Sequence, residues 1–372
     1  MKIRKASLLS ITGAAVTAIV VSGTVMGGIA NAAVGPVQFP PFAVTANVPV
    51  APLEGVSAIS ASDVWAVGDD TGNMLAENWN GSQWSSVALP AVPGANFDTN
   101  LRLTGVSGDS ANDVIAVGNE LLGATNGPLA FKWSNGAWQQ LTTPSGAWWS
   151  SMTEVKTFSP TDAWAIGQTS TINGYTATAT QWNGTSWTQT QVTAPFPANL
   201  VLSMNSISGD SPSDIWAVGT AASSSYRNRV VESVILHYNG TSWTQFTSPD
   251  NSGLTSVAAI SPTDAWATAA DGDILQFSNG AWTVASTAFN TPSVDSPEIA
   301  AVSATNIWIA GVVANDEFAV AHYNGTSWTS QAEPASFTAT GGSALPSGQA
   351  WFSGSFLESN AATVIPAILP AS

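Results

Sequence analysis

The chain has 372 residues, and only 9% of them are Asp, Glu, Lys or Arg, where an ordinary soluble protein has about 25%. Eight Lys and Arg stand against 24 Asp and Glu, a formal net charge of −16, which argues against DNA, RNA and anionic lipid surfaces as partners because these need clustered cations. Cysteine is absent, so there is no disulfide framework, thiolate metal site, cysteine nucleophile or lipoprotein anchor, and 17 Trp against 4 Tyr is the imbalance a fold has to explain.

The first five residues include Lys2, Arg4 and Lys5, and more than twenty uncharged residues follow. That pattern predicts a signal peptide over 1–32, ending in the small-x-small sequence Ala30-Asn31-Ala32. The mature chain is expected to begin at Ala33 and to be secreted, with no membrane span left after cleavage. Arg4-Lys5 is only a weak variant of a twin-arginine signal. Residues 33–41, bounded by Pro36 to Pro41, read as an irregular lead-in.

From there one repeat organises the chain. The segment Asp-x-Trp-Ala-Val-Gly recurs at Asp63 to Gly68, Asp113 to Gly118, Asp162 to Gly167, Asp214 to Gly219 and Asp264 to Ala269. Weaker copies are Asn306 to Gly311 and Gln349 to Gly354. The central position is Trp65, Ile115, Trp164, Trp216, Trp266, Trp308 and Trp351, spaced by 50, 49, 52, 50, 42 and 43 residues. The first six copies are followed by two aromatic residues five apart around Asn-Gly: Trp79 and Trp84, Trp133 and Trp138, Trp182 and Trp187, Tyr238 and Trp243, Phe277 and Trp282, Tyr323 and Trp328. A constant step around a residue pair that tolerates positive φ is a hairpin signal.

Each unit therefore reads as four short antiparallel strands, A to D, with no helical period. Four-stranded units of 42 to 52 residues, stacked seven times, predict an all-β, seven-bladed β-propeller over 42–372. Its blades are expected at about 53–90, 103–144, 152–193, 203–248, 254–288, 297–333 and 337–369. The seventh unit lacks the Asn-Gly-x-x-Trp signature, and Phe42 to Val50 is expected to supply its missing strand and close the ring.

Fifteen of the 17 tryptophans fall at repeat positions and read as the flat pieces that pack blade on blade, each burying on the order of 200 Å². Asp63, Asp113, Asp162, Asp214 and Asp264 are expected to accept backbone N–H groups in the A-to-B turn. His237 and His322 occupy one equivalent position before Tyr-Asn-Gly-Thr-Ser-Trp, and read as strand filler with no metal role. Asp271-Gly272-Asp273 matches no full calcium loop and reads as a tight B-to-C turn.

Gly240-Thr241-Ser242-Trp243 and its equivalents resemble the Asp-box (BNR) propeller repeats, over about residues 53 to 354. The likeness departs at the box acid, since Asn239 precedes Gly240 directly where the box has Asp two residues before the glycine. It implies a propeller superfamily that includes sialidases, lectins, assembly factors and surface receptors, and the fold alone does not choose among them.

The D-to-A and B-to-C connections share one face and vary in length, so binding is expected there. Trp148 and Trp149, between the second and third units, are the tryptophans outside the repeat and could stack on a sugar. Tyr226, Arg227 and Arg229 lie in the long B-to-C loop of the fourth unit and could hold a carboxylate or sulfate. Asn96, Phe97, Asp98, Glu120 and Tyr175 are lesser candidates. A sialidase-like clamp needs three arginines from different blades, but after residue 32 the arginines are Arg102, Arg227 and Arg229, two of them in one loop. The expectation is therefore a secreted, monomeric, non-enzymatic binding propeller without cofactor or metal, whose partner is an extracellular glycan. A protein-interaction scaffold or assembly factor is the alternative, and a sialidase- or glycosidase-like hydrolase the second alternative.

Overall fold

A computed structural model describes residues 52–371, apart from residue 71 and segments 96–98, 123–124, 145–149, 172–173, 193–199, 224–230, 288–294, 314–316, 334–336, 358–363 and 367–368. Seven antiparallel sheets follow one another along the chain, spanning 53–86, 99–140, 150–191, 200–246, 254–287, 295–333 and 337–371. In six of them strands A, B, C and D pair in chain order. The seventh contains strand A (Phe337–Ala344), strand B (Ala350–Leu357) and two short strands, Val364–Pro366 and Leu369–Ala371, that both pair with the same edge of B.

The expectation of seven complete blades is therefore corrected. Six blades are complete, and the last sheet has three strand positions, its outer one split into two short pieces carrying Pro366 and Pro370, residues that cannot donate to a ladder. Among the described residues no N-terminal strand finishes it, and Phe42 to Val50 lies outside them. The ring closes instead by direct packing of the first sheet on the last. Thr340 Oγ1 donates to the Leu53 carbonyl at 2.6 Å, and the Ala58 N–H donates to Ser343 Oγ at 3.0 Å.

The tryptophan excess is the joint between sheets. The strand B ring of one blade packs on the C-to-D aromatic pair of the next, Trp65 on Trp133 and Trp138, Trp164 on Tyr238 and Trp243, Trp216 on Phe277 and Trp282, and Trp266 on Tyr323 and Trp328. Ile115 replaces the ring in the second sheet and is buried with Trp182 and Trp187. At closure, Trp351 of the last sheet packs on Trp79 and Trp84 of the first, both at 6.2 Å between centroids. The sixth joint differs because the last sheet has no aromatic pair. There Trp308 stacks on its own blade's His322 and donates Nε1–H to the Gly348 carbonyl at 3.3 Å.

The repeated acid has a different role from the expected one. Asp63, Asp162 and Asp264 accept from a strand C amide through Oδ1: Asn78 Nδ2 at 2.9 Å, Gln181 Nε2 at 3.3 Å and Gln276 Nε2 at 3.1 Å. Asp113 pairs with Lys132 and Asp214 with His237 at the same place, while His322 Nε2 meets Asn306 Oδ1 at 2.9 Å. The histidines are thus partners of this cross-strand bond. The A-to-B turn is held by hydroxyls, as where the Ser62 N–H donates to Ser60 Oγ and the Thr161 N–H to Ser159 Oγ, each at 3.3 Å.

The hairpins also divide into two kinds. Asn135-Gly136 and Asn279-Gly280 both have positive φ, as a two-residue type I′ turn requires. In the other four only the glycine does, and the Asn Oδ1 accepts two downstream N–H groups, Ser82 and Gln83 at 3.0 Å in the case of Asn80. A Cβ on Gly81, Gly184, Gly240 or Gly325 would press on Ser62, Thr161, Ser213 or Thr305, so C-to-D and A-to-B turns share one rim. The variable connections lie at the other end of the strands.

Candidate functional site: the axial chamber

The inner strands supply the site. Strand A carries a register shift at one height in every sheet, skipping Glu54, Thr104, Thr153, Asn205, Thr255 and Thr340 in six of them. Such bulges re-aim a side chain out of the ladder. Here the bulged residues reach toward the neighbouring blade, and most of them line a cavity on the ring's axis. Thr104 Oγ1 donates to the Met152 carbonyl at 3.1 Å, Asn205 Nδ2 to Leu254 at 2.7 Å and Thr255 Oγ1 to Pro297 at 2.6 Å. Opposite the bulge, a Cβ on Gly118, Gly167 or Gly219 would overlap a strand A carbonyl oxygen, which explains the glycine ending the repeat. In the fifth copy Ala269 takes that place, and strand A is there preceded by Gly253 at φ +92, whose carbonyl accepts the Ala270 N–H at 2.8 Å.

Directly after the bulge comes a column of Gly55, Gly105, Glu154, Ser206, Ser256, Glu298 and Gly341, set by pairing with Val67, Val117, Ile166, Val218, Thr268, Ala310 and Ser353. Glycine is required where blades approach most closely, since a Cβ on Gly105 would lie 2.7 Å from Glu154 Cα. The two glutamates are the departures from this small-residue column.

Glu154 Oε2 accepts the Ile207 N–H at 2.6 Å, the bond that Ser206 Oγ makes with Val257 N–H one blade later at 3.2 Å. Burial pushes the Glu154 carboxyl up to about 7, against the Ile207 and Ser206 hydrogen bonds and the charge of Lys156. Burial, and then the charge of Glu154, push Glu298 up to about 8, and a hydrogen bond from Ser256 opposes them. Lys156 stands two residues beyond Glu154 on the same strand, and burial lowers its amine while Glu154 opposes that shift.

The cavity enclosed here measures about 290 Å³ and is lined by Glu54, Arg102, Thr153, Glu154, Asn205, Glu298 and Thr340 together with neighbouring backbone. Its lining comes from the first half and the middle of the A strands, whose leading ends bear the D-to-A connections. Arg102 stands at the mouth with its side chain 43% exposed, its Nη2 2.7 Å from Glu54 Oε1 and its Nε 3.9 Å from Asp69 Oδ1. Arg102 thus belongs to an intramolecular pair at the cavity mouth. Glu154, Lys156 and Glu298 are absent from the residues expected to bind, although two acids and an amine in inner strands of so uncharged a chain are a readable signal.

Of the residues expected to bind, Trp148, Trp149, Tyr226, Arg227 and Arg229, like Asn96, Phe97 and Asp98, lie outside the described residues. Glu120 is half-buried on strand B of the second sheet, beside Gly127. Asp271-Gly272-Asp273 forms the tight turn, with the Gly272 N–H on the Ala269 carbonyl at 2.9 Å. It brings both acids within 4.8 Å of Asp250, whose Oδ1 is already held by the Ser252 N–H and hydroxyl. Among the described residues no helix is long and apolar enough to cross a membrane.

No protein-family model and no curated protein matches this sequence. Solved structures do resemble it in fold. YCF48 bound to a D1 peptide aligns with a TM-score of 0.57 at 15% identity, covering 87% of this chain and 93% of that one. YCF48 from Cyanidioschyzon merolae gives 0.57 at 14%, covering 90% and 98%, and the WD40 β-propeller domain of Doa1 gives 0.53 at 16%, covering 86% and 92%. At these identities the likeness is one of fold, and the chain is a β-propeller of four-stranded antiparallel blades.

Proposed function

We propose that the protein is an exported, non-enzymatic binding propeller that holds a polypeptide partner at the face where the axial chamber opens. The chamber itself carries the reading: a polar cavity built by bulges in the inner strands, near the variable connections that a rigid ring holds in place. About 290 Å³ is at the small end of ligand pockets. That size suits one inserted side chain and is small for a stretch of sugars between two catalytic carboxyls, which disfavours the hydrolase reading. A neighbour in fold, YCF48, is bound to a peptide, which gives the shape a precedent and assigns no residue. Export rests on the expected signal peptide over 1–32.

The second reading is an extracellular glycan stacked on Trp148 and Trp149. It is favoured by sequence position, since these residues immediately precede strand A of the third sheet, which carries Thr153 and Glu154.

The test is selection of peptides from a displayed random library against the mature protein, with Thr153→Trp as a plugged chamber. Selected peptides are expected to lose at least tenfold in affinity for the plugged variant while its thermal unfolding is unchanged. Peptides that bind the plugged protein equally well would move the site elsewhere, and a glycan-array signal lost on alanine substitution of Trp148 and Trp149 would favour the second reading.

A further inference from the structure

The charged groups around the chamber do not balance. Glu54 is matched by Arg102 through the 2.7 Å ion pair, and Arg102 is further drawn to Asp69. Glu154 has Lys156 beside it on its own strand and the Ile207 N–H from the fourth sheet. Glu298 has neither. The groups that act on it are the Ser256 hydroxyl of the fifth sheet and the carboxyl of Glu154, and no cation is among them. Its side chain nonetheless lines the cavity, and the column it belongs to is otherwise Gly, Ser and Glu154. A half-buried acid in a cavity wall without a counter-charge is costly to ionise, so it stays protonated or finds a cation.

Taking the chamber as the peptide site, we propose that the group it receives is a single primary ammonium or guanidinium, the side chain of a Lys or Arg on the partner, set between Glu298 and Glu154. A cavity of about 290 Å³ with both carboxyls among its lining residues suits an unbranched, cation-tipped side chain, its charge at the carboxyls and its apolar stem against the rest of the wall. An acidic molecule also draws such a partner in, because a net charge of −16 favours encounter with basic segments. On entry the cation favours the ionised carboxyls, so binding is coupled to proton release. The groups that set this response are Glu298 and Glu154 in the chamber wall, Lys156 and Ser256 acting on them from beside it, and Arg102 and Glu54 at its mouth.

Calorimetry on the mature chain tests this with two peptides of neutral sequence that differ at one central residue, lysine or norleucine, and with n-butylammonium as a free amine. The lysine peptide is expected to bind at least tenfold more tightly than the norleucine peptide, to gain affinity between pH 6 and 8.5, and to release protons measurable in buffers of different ionisation enthalpy. Glu298→Gln, which keeps size and hydrogen bonding, is expected to lose that tenfold preference. Binding of n-butylammonium alone with equal affinity would assign the site to small amines rather than a protein side chain and overturn the partner.

Equal binding of lysine and norleucine peptides, blocked by Thr153→Trp, would overturn the cation while leaving the peptide chamber standing. If peptides from the library also ignore Thr153→Trp, the chamber reading itself fails.

Discussion

Trp351→Ala is expected to cost about 3–5 kcal/mol of unfolding free energy, the range for truncating a buried tryptophan. The residue is 2% exposed and is the contribution of the last sheet to the closing joint, against Trp79 and Trp84. Among the described residues no fourth strand in the last sheet shares the load at closure, where Trp351 is joined by inner-strand hydrogen bonds such as Thr340 to Leu53. Trp308→Ala is the matched comparison. It removes an equally buried ring at the one joint without an aromatic pair, and is expected to cost less. Urea unfolding followed by tryptophan fluorescence measures both. If Trp351→Ala proved no worse than Trp308→Ala, the aromatic clasp would not be what closes the ring.

The second large effect is on the dependence of stability on pH. Glu154 and Glu298 are held at about 7 and about 8 in the folded chain, against 4.5 for a free glutamate. Between those values the folded state holds protons that the unfolded state has released. Their contribution is therefore full below about 4.5 and is lost as pH rises through 7 to 8. A tenfold change in proton affinity is worth about 1.4 kcal/mol, so the two raised carboxyls together account for several kcal/mol across that window. Self-repulsion of an acidic chain acts in the same direction, which makes the difference between variants the useful quantity. The double variant Glu154→Gln and Glu298→Gln carries neutral groups at every pH, and its stability is expected to fall much less than the native protein's between pH 5 and pH 8.5. Glu77, which burial raises to about 7, keeps part of the slope in both. Parallel profiles for the two proteins would place the glutamates in contact with bulk water.

The ring is legible in the sequence where a large residue recurs at a fixed place. Trp65, Trp164, Trp216 and Trp266 mark strand B because the joint needs a flat ring there, and the five-residue step between Trp79 and Trp84 follows from their cross-strand pairing. The partner of the repeated Asp is readable too. Asn78, Lys132, Gln181, His237, Gln276 and His322 all precede the strand C aromatic and all carry an N–H donor, a regularity that emerges only when both columns are compared.

The chamber is harder to see because strand A has no signature residue. Its column of Gly, Ser and Glu emerges only once the bulge fixes the register, and a one-residue slip would send each side chain to the other face. Completion of the last blade is obscured for a related reason, since the two short proline-bearing strands after Leu357 carry no Asn-Gly-x-x-Trp signature to mark them.

The most direct measurement on the chamber is a carbon-13 titration of glutamate side-chain carboxyls in the mature protein, with and without the lysine peptide. Two resonances, assigned by their loss in Glu154→Gln and Glu298→Gln, are expected to titrate near 7 and 8 in the free protein and to shift to lower pH when the peptide is bound. Titration of both near 4.5, or at a midpoint the peptide does not move, would contradict an acid pair in the chamber wall that waits for a cation.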